Sequence, residues 1–208
     1  MDTGRETELA RRRYDRVARL YDYVEAPVES LAFRRWRELL WSGVRGKEIL
    51  EVGVGTGKNI PFYPAAAQVT AIDLSPGMLK RARERANQWS GNLRLLEMDV
   101  EDLRFSDHSF DAVVGSFVFC SVPDPISGLR EIRRVLRPEG TLHLLEHVLS
   151  TRPLMPALMN ALNRVVVRMQ GVNINRRTAD NIRAAGFFVE SETDLWWDIF
   201  KLFVGKPA

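Results

Sequence analysis

The chain has 208 residues, 45% of them apolar, enough for one domain with a substantial core. A net charge of +3 is only mildly basic, so charge placement says more than the total, and the lone Cys120 excludes an intrachain disulfide, which suits a reducing, cytoplasmic setting. No run approaches the ~20 apolar residues of a membrane-spanning helix, and an N-terminus mixing Arg with Glu6, Glu8 and Asp15 does not read as a secretory signal.

Leu9, Arg13, Val17, Leu20 and Val24 recur at helical spacing, with a break near Ala26-Pro27. A second helical piece ends at Gly43 or Gly46. From residue 48 the period changes. Short apolar runs at 48–54, 68–74, 93–100, 110–119 and 141–148 predict five strands, with helices predicted between them at 76–88 and 126–136. Such alternation predicts an α/β fold, a mostly parallel sheet with helices on both faces. Residues 187–207 predict two further strands meeting around Asp194, so that the last of seven runs antiparallel at the sheet edge. The expected division of the single domain is lid helices over 1–45, a core over 46–148, a cap over 149–178, and a helix with the closing hairpin over 179–208.

The stretch "EVGVGTGKN" (51–59) places three glycines and a lysine at the end of the first strand. A phosphate-cradling G-x-x-x-x-G-K-[ST] loop fails at both ends, because Val52 stands where the first Gly belongs and Asn59 where the hydroxyl belongs. The dinucleotide pattern G-x-G-x-x-G is nearer, and Asp73 falls twenty residues after Gly53 at a strand end, where a carboxylate takes ribose hydroxyls. Its third glycine arrives one residue early, so the loop opens more widely than a pyrophosphate needs. Asp99, in "LLEMDVEDLRF", ends the third strand and offers a carboxylate beside the Val100 amide, suited to an adenine edge.

With "AIDLSPGMLKRARERA", "HSFDAVVGSFVFCSVPDP" and "EIRRVLRPEGTLHLLEH" following in order, the chain resembles the class I S-adenosylmethionine (SAM)-dependent methyltransferases over residues 14–205. The resemblance implies a Rossmann-like fold, SAM as cofactor and S-adenosylhomocysteine as product. It implies that Glu51, Gly53, Gly55 and Asn59 serve the methionine end and that Asp73 holds the ribose. Leu74 and Met78 would pack on the adenine, Asp99 and Val100 would read its edge, and Ser116 and Phe117 would lie beside the transferring methyl. No metal is implied.

"RYDRVARLYDYV" resembles the lid helix of ubiquinone/menaquinone C-methyltransferases and of small phospholipid N-methyltransferases, in which Tyr14 and Tyr21 would close over SAM; at helical spacing both also read as packing aromatics. "FVFCSVPDP", "EH" and "GVNINRRT" resemble phosphatidylethanolamine N-methyltransferases and membrane-associated thiol methyltransferases. That resemblance implies an acceptor pocket bordered by Phe117, Glu146, His147, Asn173, Asn175 and Arg176. His147, with an unperturbed pKa of ~6.5, is the first candidate base and Tyr21 the second; a His after a strand also serves as a structural hydrogen-bond donor. Cys120 reads as packing.

Leu154, Leu158, Leu162, Val165 and Met169 form one stripe of a Met-rich segment, widened by Met155, Met159 and Val166. Arg164 and Arg168 flank it, and residues 152–183 hold six Arg against Asp180, 6 − 1 = +5. This suits a helix lying in an anionic lipid interface; a cap buried against the sheet or a second subunit fits equally. The expected partner is therefore a lipophilic small acceptor, the amine of phosphatidylethanolamine first, a quinone precursor or small thiol second. A cytoplasmic enzyme peripheral to the inner membrane face is the matching location. A SAM-binding regulatory module is the reading of another class. Nucleic acid is not expected, because strand four lacks an N/D-P-P-Y/F sequence for a flipped base and one +5 segment is too little.

Overall fold

The computed structural model describes residues 4–5, 7–15 and 32–208, without the side chains of residues 169 and 170. In chain order these form α1 (residues 7–15), α2 (Arg34–Ser42), β1 (Glu48–Val52), a 3-10 turn (Ile60–Phe62), β2 (Gln68–Asp73), α3 (Pro76–Ala86) and β3 (Asn92–Glu97). Next come β4 (Phe110–Ser116), α4 (Pro125–Val135), β5 (Leu136–His147), α5 (Met155–Gln170), α6 (Thr178–Ala184), β6 (Phe187–Trp196) and β7 (Phe200–Pro207). The expected break at Ala26-Pro27 and Tyr21 lie outside the described residues.

The seven strands form one sheet in the order β3-β2-β1-β4-β5-β7-β6. β1 to β5 pair in parallel, and β7 enters antiparallel between β5 and β6, so the edge belongs to β6 and not to the last strand as expected. Parallel central strands bury both faces, which is why β1 is buried on successive residues, Ile49 to Val52, rather than on alternate ones. Leu50 and Val52 feed a core on one face with Leu129 and Ile132 of α4 and Ile182 of α6. Ile49 turns to the other, with Leu40 and Trp41 of α2 and Leu79 of α3.

Local chemistry starts the two central helices. Ser75 caps α3, its hydroxyl accepting the Met78 amide, and Asp124 caps α4 by accepting the Ile126 and Ser127 amides; each cap is followed by a proline at the first turn.

Several strands stop short of their apolar runs. β1 ends at Val52 because Gly53 turns to φ +65°, and β4 ends at Ser116 because Phe117 takes φ +58°. β5 starts earlier than expected, at Leu136 opposite Phe110. The hairpin expected to turn around Asp194 turns instead at residues 197–199. Trp197 takes φ +49° there, and the Asp198 carboxylate is drawn away from the hairpin by the hydroxyls of Ser150 and Thr151 and the Thr151 amide. Among the described residues no helix is long and apolar enough to cross a membrane.

Candidate active site

The sheet order reverses between β1 and β4, and the crevice outside the carboxyl ends of β1, β2 and β4 is where ligands bind in open α/β sheets. A cavity sits there. Its walls include Gly53, Gly55, Asp73, Leu74, Met78, Asp99, Val100, Ser116, Phe117 and Tyr14, which brings together most of the residues singled out from the sequence for the donor. Thr7, Ala10 and Tyr14 lie on one face of α1, so this helix spans one side of the cavity. Asp15 fastens it: its carboxylate accepts the Ser75 hydroxyl and the Gly77 amide (2.9 Å) at the start of α3.

The glycine loop is shaped by two constraints. Gly53 runs at φ +65°, and a Cβ on it would come within 2.5 Å of the Val118 side chain. Gly55 runs at φ +54° with open space around the position a Cβ would take, and its amide donates to Asp73 Oδ2 at 2.8 Å. Asp73 Oδ1 accepts the Ser75 amide at 2.9 Å. Burial pushes the Asp73 carboxyl up to about 6, against the pull of the Ser75 and Gly55 amides. Both oxygens are thus held in place while the group lines the cavity, the arrangement needed to grip a pair of ribose hydroxyls.

Below the loop lies a buried polar floor that sequence reading captures only in part. Arg37, 6% exposed, donates from Nη1 to Asn59 Oδ1 (3.1 Å) and Ser116 Oγ (2.8 Å) and reaches the cavity wall. Asn59 Nδ2 donates to Ser116 Oγ at 2.9 Å and to the Glu51 carboxylate, which also accepts the Tyr63 hydroxyl. Glu51 and Asn59 sit beneath the cavity rather than on its wall, and burial raises the Glu51 carboxyl to about 7. Sequence reasoning misses Arg37 and Tyr63. A basic residue sharing a helix face with Phe33, Leu40 and Trp41 is the available signal for Arg37.

On the acceptor side, Phe117 stands at the end of β4 in the left-handed region, a conformation that costs an aromatic residue ~1–3 kcal/mol and persists only where its surroundings enforce it. Glu146 enforces it: fully buried, it accepts the Val118 and Phe119 amides on Oε1 (2.9 and 3.0 Å). Burial raises its carboxyl to about 7. Around Phe117 gather Phe33 (ring centroids 4.8 Å apart), Phe200 (6.1 Å) and, against Phe200, Trp36 (5.1 Å) and His147 (5.0 Å). His147 does not line the donor cavity; it joins that cavity's wall through Phe200 and Phe117. Burial holds its imidazole below the usual histidine value, so it is neutral at pH 7.

Asn173 and Asn175 face α5 and the loop after β4. The Asn173 amide donates to the Cys120 carbonyl (2.8 Å), and Asn175 Nδ2 to Asn160 Oδ1 (2.8 Å). Arg176 Nη2 donates to the Val122 carbonyl at 2.7 Å, and Val122 itself lines the donor cavity. Cys120 is buried and its thiol pushed up by burial, far from thiolate reactivity.

An anchored carboxylate at the end of β2, an open glycine turn after β1 and a cationic floor together define a site for a nucleoside with a charged tail. Residues 50–144 match the family described as a methyltransferase domain. The chain is 35% identical over 161 residues to a phosphatidylethanolamine N-methyltransferase of Cereibacter sphaeroides, covering 76% of this chain and 78% of that one. It is 30% identical over 203 residues to a demethylmenaquinone methyltransferase of Tropheryma whipplei, covering 96% and 82%. It is 42% identical over 114 residues to a thiol S-methyltransferase of Homo sapiens, 51% of this chain but only 46% of the human protein's length. A SAM-dependent methyltransferase structure from Thermotoga maritima, described as a possible histamine N-methyltransferase, superposes with a TM-score of 0.74 at 19% identity over 95% of this chain and 99% of that one, a likeness of fold. The chain belongs to the SAM-dependent methyltransferases, in a family with phospholipid, quinone and thiol methyltransferase members.

Proposed function

We propose that the protein transfers the methyl group of SAM to the amine of an ethanolamine phospholipid at a membrane surface. The observation carrying this reading is the ring cluster of Phe33, Trp36, Phe117 and Phe200, which continues from the wall of the donor cavity. Aromatic faces attract ammonium groups, including methylated ones, by ~0.5–2 kcal/mol each. The likeness to the Cereibacter sphaeroides enzyme supports the same choice.

In this reading Asp73 takes the ribose hydroxyls, Asp99 and Val100 the adenine edge, and Leu74 and Met78 its face, with Tyr14 closing from α1. Arg37 faces the carboxylate of the methionine tail, above Asn59 and Glu51. Bound there, SAM supplies an electrophilic methyl on a sulfonium. The protein contributes alignment, worth ~7–11 kcal/mol in well-oriented systems. An ethanolamine ammonium must lose a proton before its nitrogen can attack. In this reading the proton passes through water to His147, which stands behind Phe200 and Phe117 rather than on the cavity wall; the nitrogen lone pair then forms the N–CH3 bond as the methyl–sulfur bond breaks.

Membrane contact follows from α5. Leu154, Leu158, Leu162 and Val165 are 86%, 52%, 48% and 55% exposed, so this stripe is not buried against the sheet. The exposed Arg164 and Arg168 share the helix, and the exposed Trp196 and Trp197 stack at the nearby hairpin (5.5 Å). Apolar stripe, cations and interfacial aromatics suit an anionic lipid surface.

The test is incubation with methyl-labelled SAM and vesicles of phosphatidylethanolamine plus an anionic lipid, followed by lipid mass spectrometry. Methylated headgroups that vanish with Asp73→Ala support the reading. Label appearing instead on a demethylated quinone or a small thiol, with lipid unlabelled, overturns it.

A further inference from the structure

Glu146 is a buried acid with no part in the donor contacts or the proton transfer proposed above. It stands one residue before the end of β5 at 0% exposure, a place where an apolar side chain would pack without the cost of desolvating a carboxyl. The resemblance sets it at the border of the acceptor pocket; the structure sets it behind the donor-cavity wall instead.

What it holds is the turn that follows β4. The Phe117 amide donates to the Leu145 carbonyl (2.8 Å), and the next two amides, of Val118 and Phe119, both donate to Glu146 Oε1 (2.9 and 3.0 Å). Three successive amides past the end of β4 are thus bound by two successive residues of β5. Val118 and Phe119 are themselves buried, so water cannot serve their amides in place of Glu146.

The turn carries two side chains onto the donor cavity. Phe117, at φ +58°, and Val118 both line it, and Val118 presses so closely on Gly53 that a Cβ there would come within 2.5 Å. With the ribose at Asp73 on β2 and the methionine tail toward Arg37, the sulfonium between them falls over the ends of β1 and β4, beside Phe117. Arg37 itself stands 5.5 Å over that ring.

We propose that Glu146 is a positioning residue for methyl transfer: by holding the Val118 and Phe119 amides it keeps the Phe117 ring against the sulfonium of SAM. It touches neither donor nor acceptor. This role rests on the donor pose proposed above and is independent of which acceptor is methylated.

Oε1 alone receives the two amides, and Oε2 has no hydrogen-bond partner among the described residues. A side-chain amide oxygen can therefore replace Oε1, whereas a shorter acid cannot reach. An aromatic ring within ~6 Å favours a cation over a neutral group. The placement of Phe117 is thus legible in the ratio of affinities for SAM and S-adenosylhomocysteine, which differ by the charged methyl.

The full chain is titrated calorimetrically with each of these two ligands, and the Tm is recorded alongside. Glu146→Gln keeps the acceptor oxygen and is expected to keep the parent's ratio, although its Tm falls because the new nitrogen has nothing to donate to. Glu146→Leu is expected to weaken SAM relative to S-adenosylhomocysteine by about fivefold, as Phe117→Ala does. In the double variant the two changes do not add. Glu146→Asp withdraws the carboxyl by one C–C bond, about 1.5 Å, shifts the ratio the same way, and decides the matter if Glu146→Leu does not fold. A lowered Tm with an unchanged ratio in the deciding variant assigns Glu146 to stability alone and overturns the proposal. So does an unchanged ratio in Phe117→Ala, or a ratio in Glu146→Gln shifted as far as in Glu146→Leu. Because no acceptor is present, a failure of the phospholipid assay removes the acceptor reading and leaves this one standing.

Discussion

The donor half and the acceptor half of this molecule are built by opposite rules. Around the glycine loop the polar groups are buried and interlocked: Arg37, Asn59, Ser116, Glu51 and Tyr63 form one continuous hydrogen-bonded floor. At the end of β5 and past it, apolar side chains of α5 face outward, and buried polar atoms of Glu146, His147, Arg176 and Thr178 have no hydrogen-bond partner among the described residues. The first half is nearly closed on itself, Trp41 Nε1 beside Tyr63 being its buried group without a partner among the described residues. An invariant donor permits the first design; on the proposed function, an acceptor delivered from a membrane surface suits the second.

The sharpest way to break this contrast is at Asp73. Asp73→Ala removes a carboxylate held at a fixed position by two amides. Its expected cost is about 100-fold or more in SAM affinity, read by calorimetry, with vesicle binding unchanged. Retained SAM affinity would show that the donor half is not organised around this residue. Next is Arg37→Met, which keeps most of the side-chain volume but leaves Asn59 and Ser116 short of a donor. The KM for SAM is expected to rise about tenfold, with a loss of ~1–3 kcal/mol in stability measured by denaturant titration.

On the acceptor side, Leu158→Glu with Leu162→Glu is expected to lower binding to anionic vesicles several-fold while leaving Tm within ~1 °C, because both side chains are already about half exposed. A fall in Tm of many degrees would mean that the stripe is covered within the protein. Glu51→Gln sharpens the comparison through pH. The folded Glu51 carboxyl titrates near 7 and the unfolded one near 4.5, so the folded state keeps its proton over an interval in which the unfolded state has lost it. Stability from this group is therefore fully present below pH 4.5 and declines as pH rises to 7. The Tm of Glu51→Gln relative to the parent, followed by calorimetry from pH 4.5 to 7.5, is expected to climb by several degrees, at roughly 2–4 °C per kcal/mol. A flat difference would show that the floor carboxyl is already ionised at the low end. The smallest effect belongs to Asp15→Ala, expected to cost about 1 kcal/mol through loss of its bonds to Ser75 and Gly77, with a modest rise in KM for SAM as α1 loosens.

Much of the donor half is legible in the sequence because its parts are short-range: a strand, a glycine turn, a carboxylate at the next strand end, a serine cap. The periodicity places the first five strands and the reversed last one. What cannot be read depends on residues far apart in the chain. Tyr63 meets Glu51 only through the 3-10 turn, and Arg37 meets Ser116 across 79 positions. The hairpin turn is misplaced because polar Asp194 resembles a turn residue, whereas its carboxylate pairs with Lys201 inside the ladder. The true turn is set by Asp198 reaching 48 positions back to Ser150. Asn173 and Asn175, expected from the resemblance to border the acceptor pocket, make bonds that fasten α5 to the loop after β4.

The placement of β6 bears on aggregation and assembly. It is an outer strand of the sheet, and Glu190, Glu192 and Asp194 along it pair with Lys206 and Lys201 of β7. A strand approaching from another molecule would have to align against this row of fixed charges, which makes continuation of the ladder unfavourable. Growth of the sheet is thus disfavoured at the β6 side, whereas β3 forms the opposite edge.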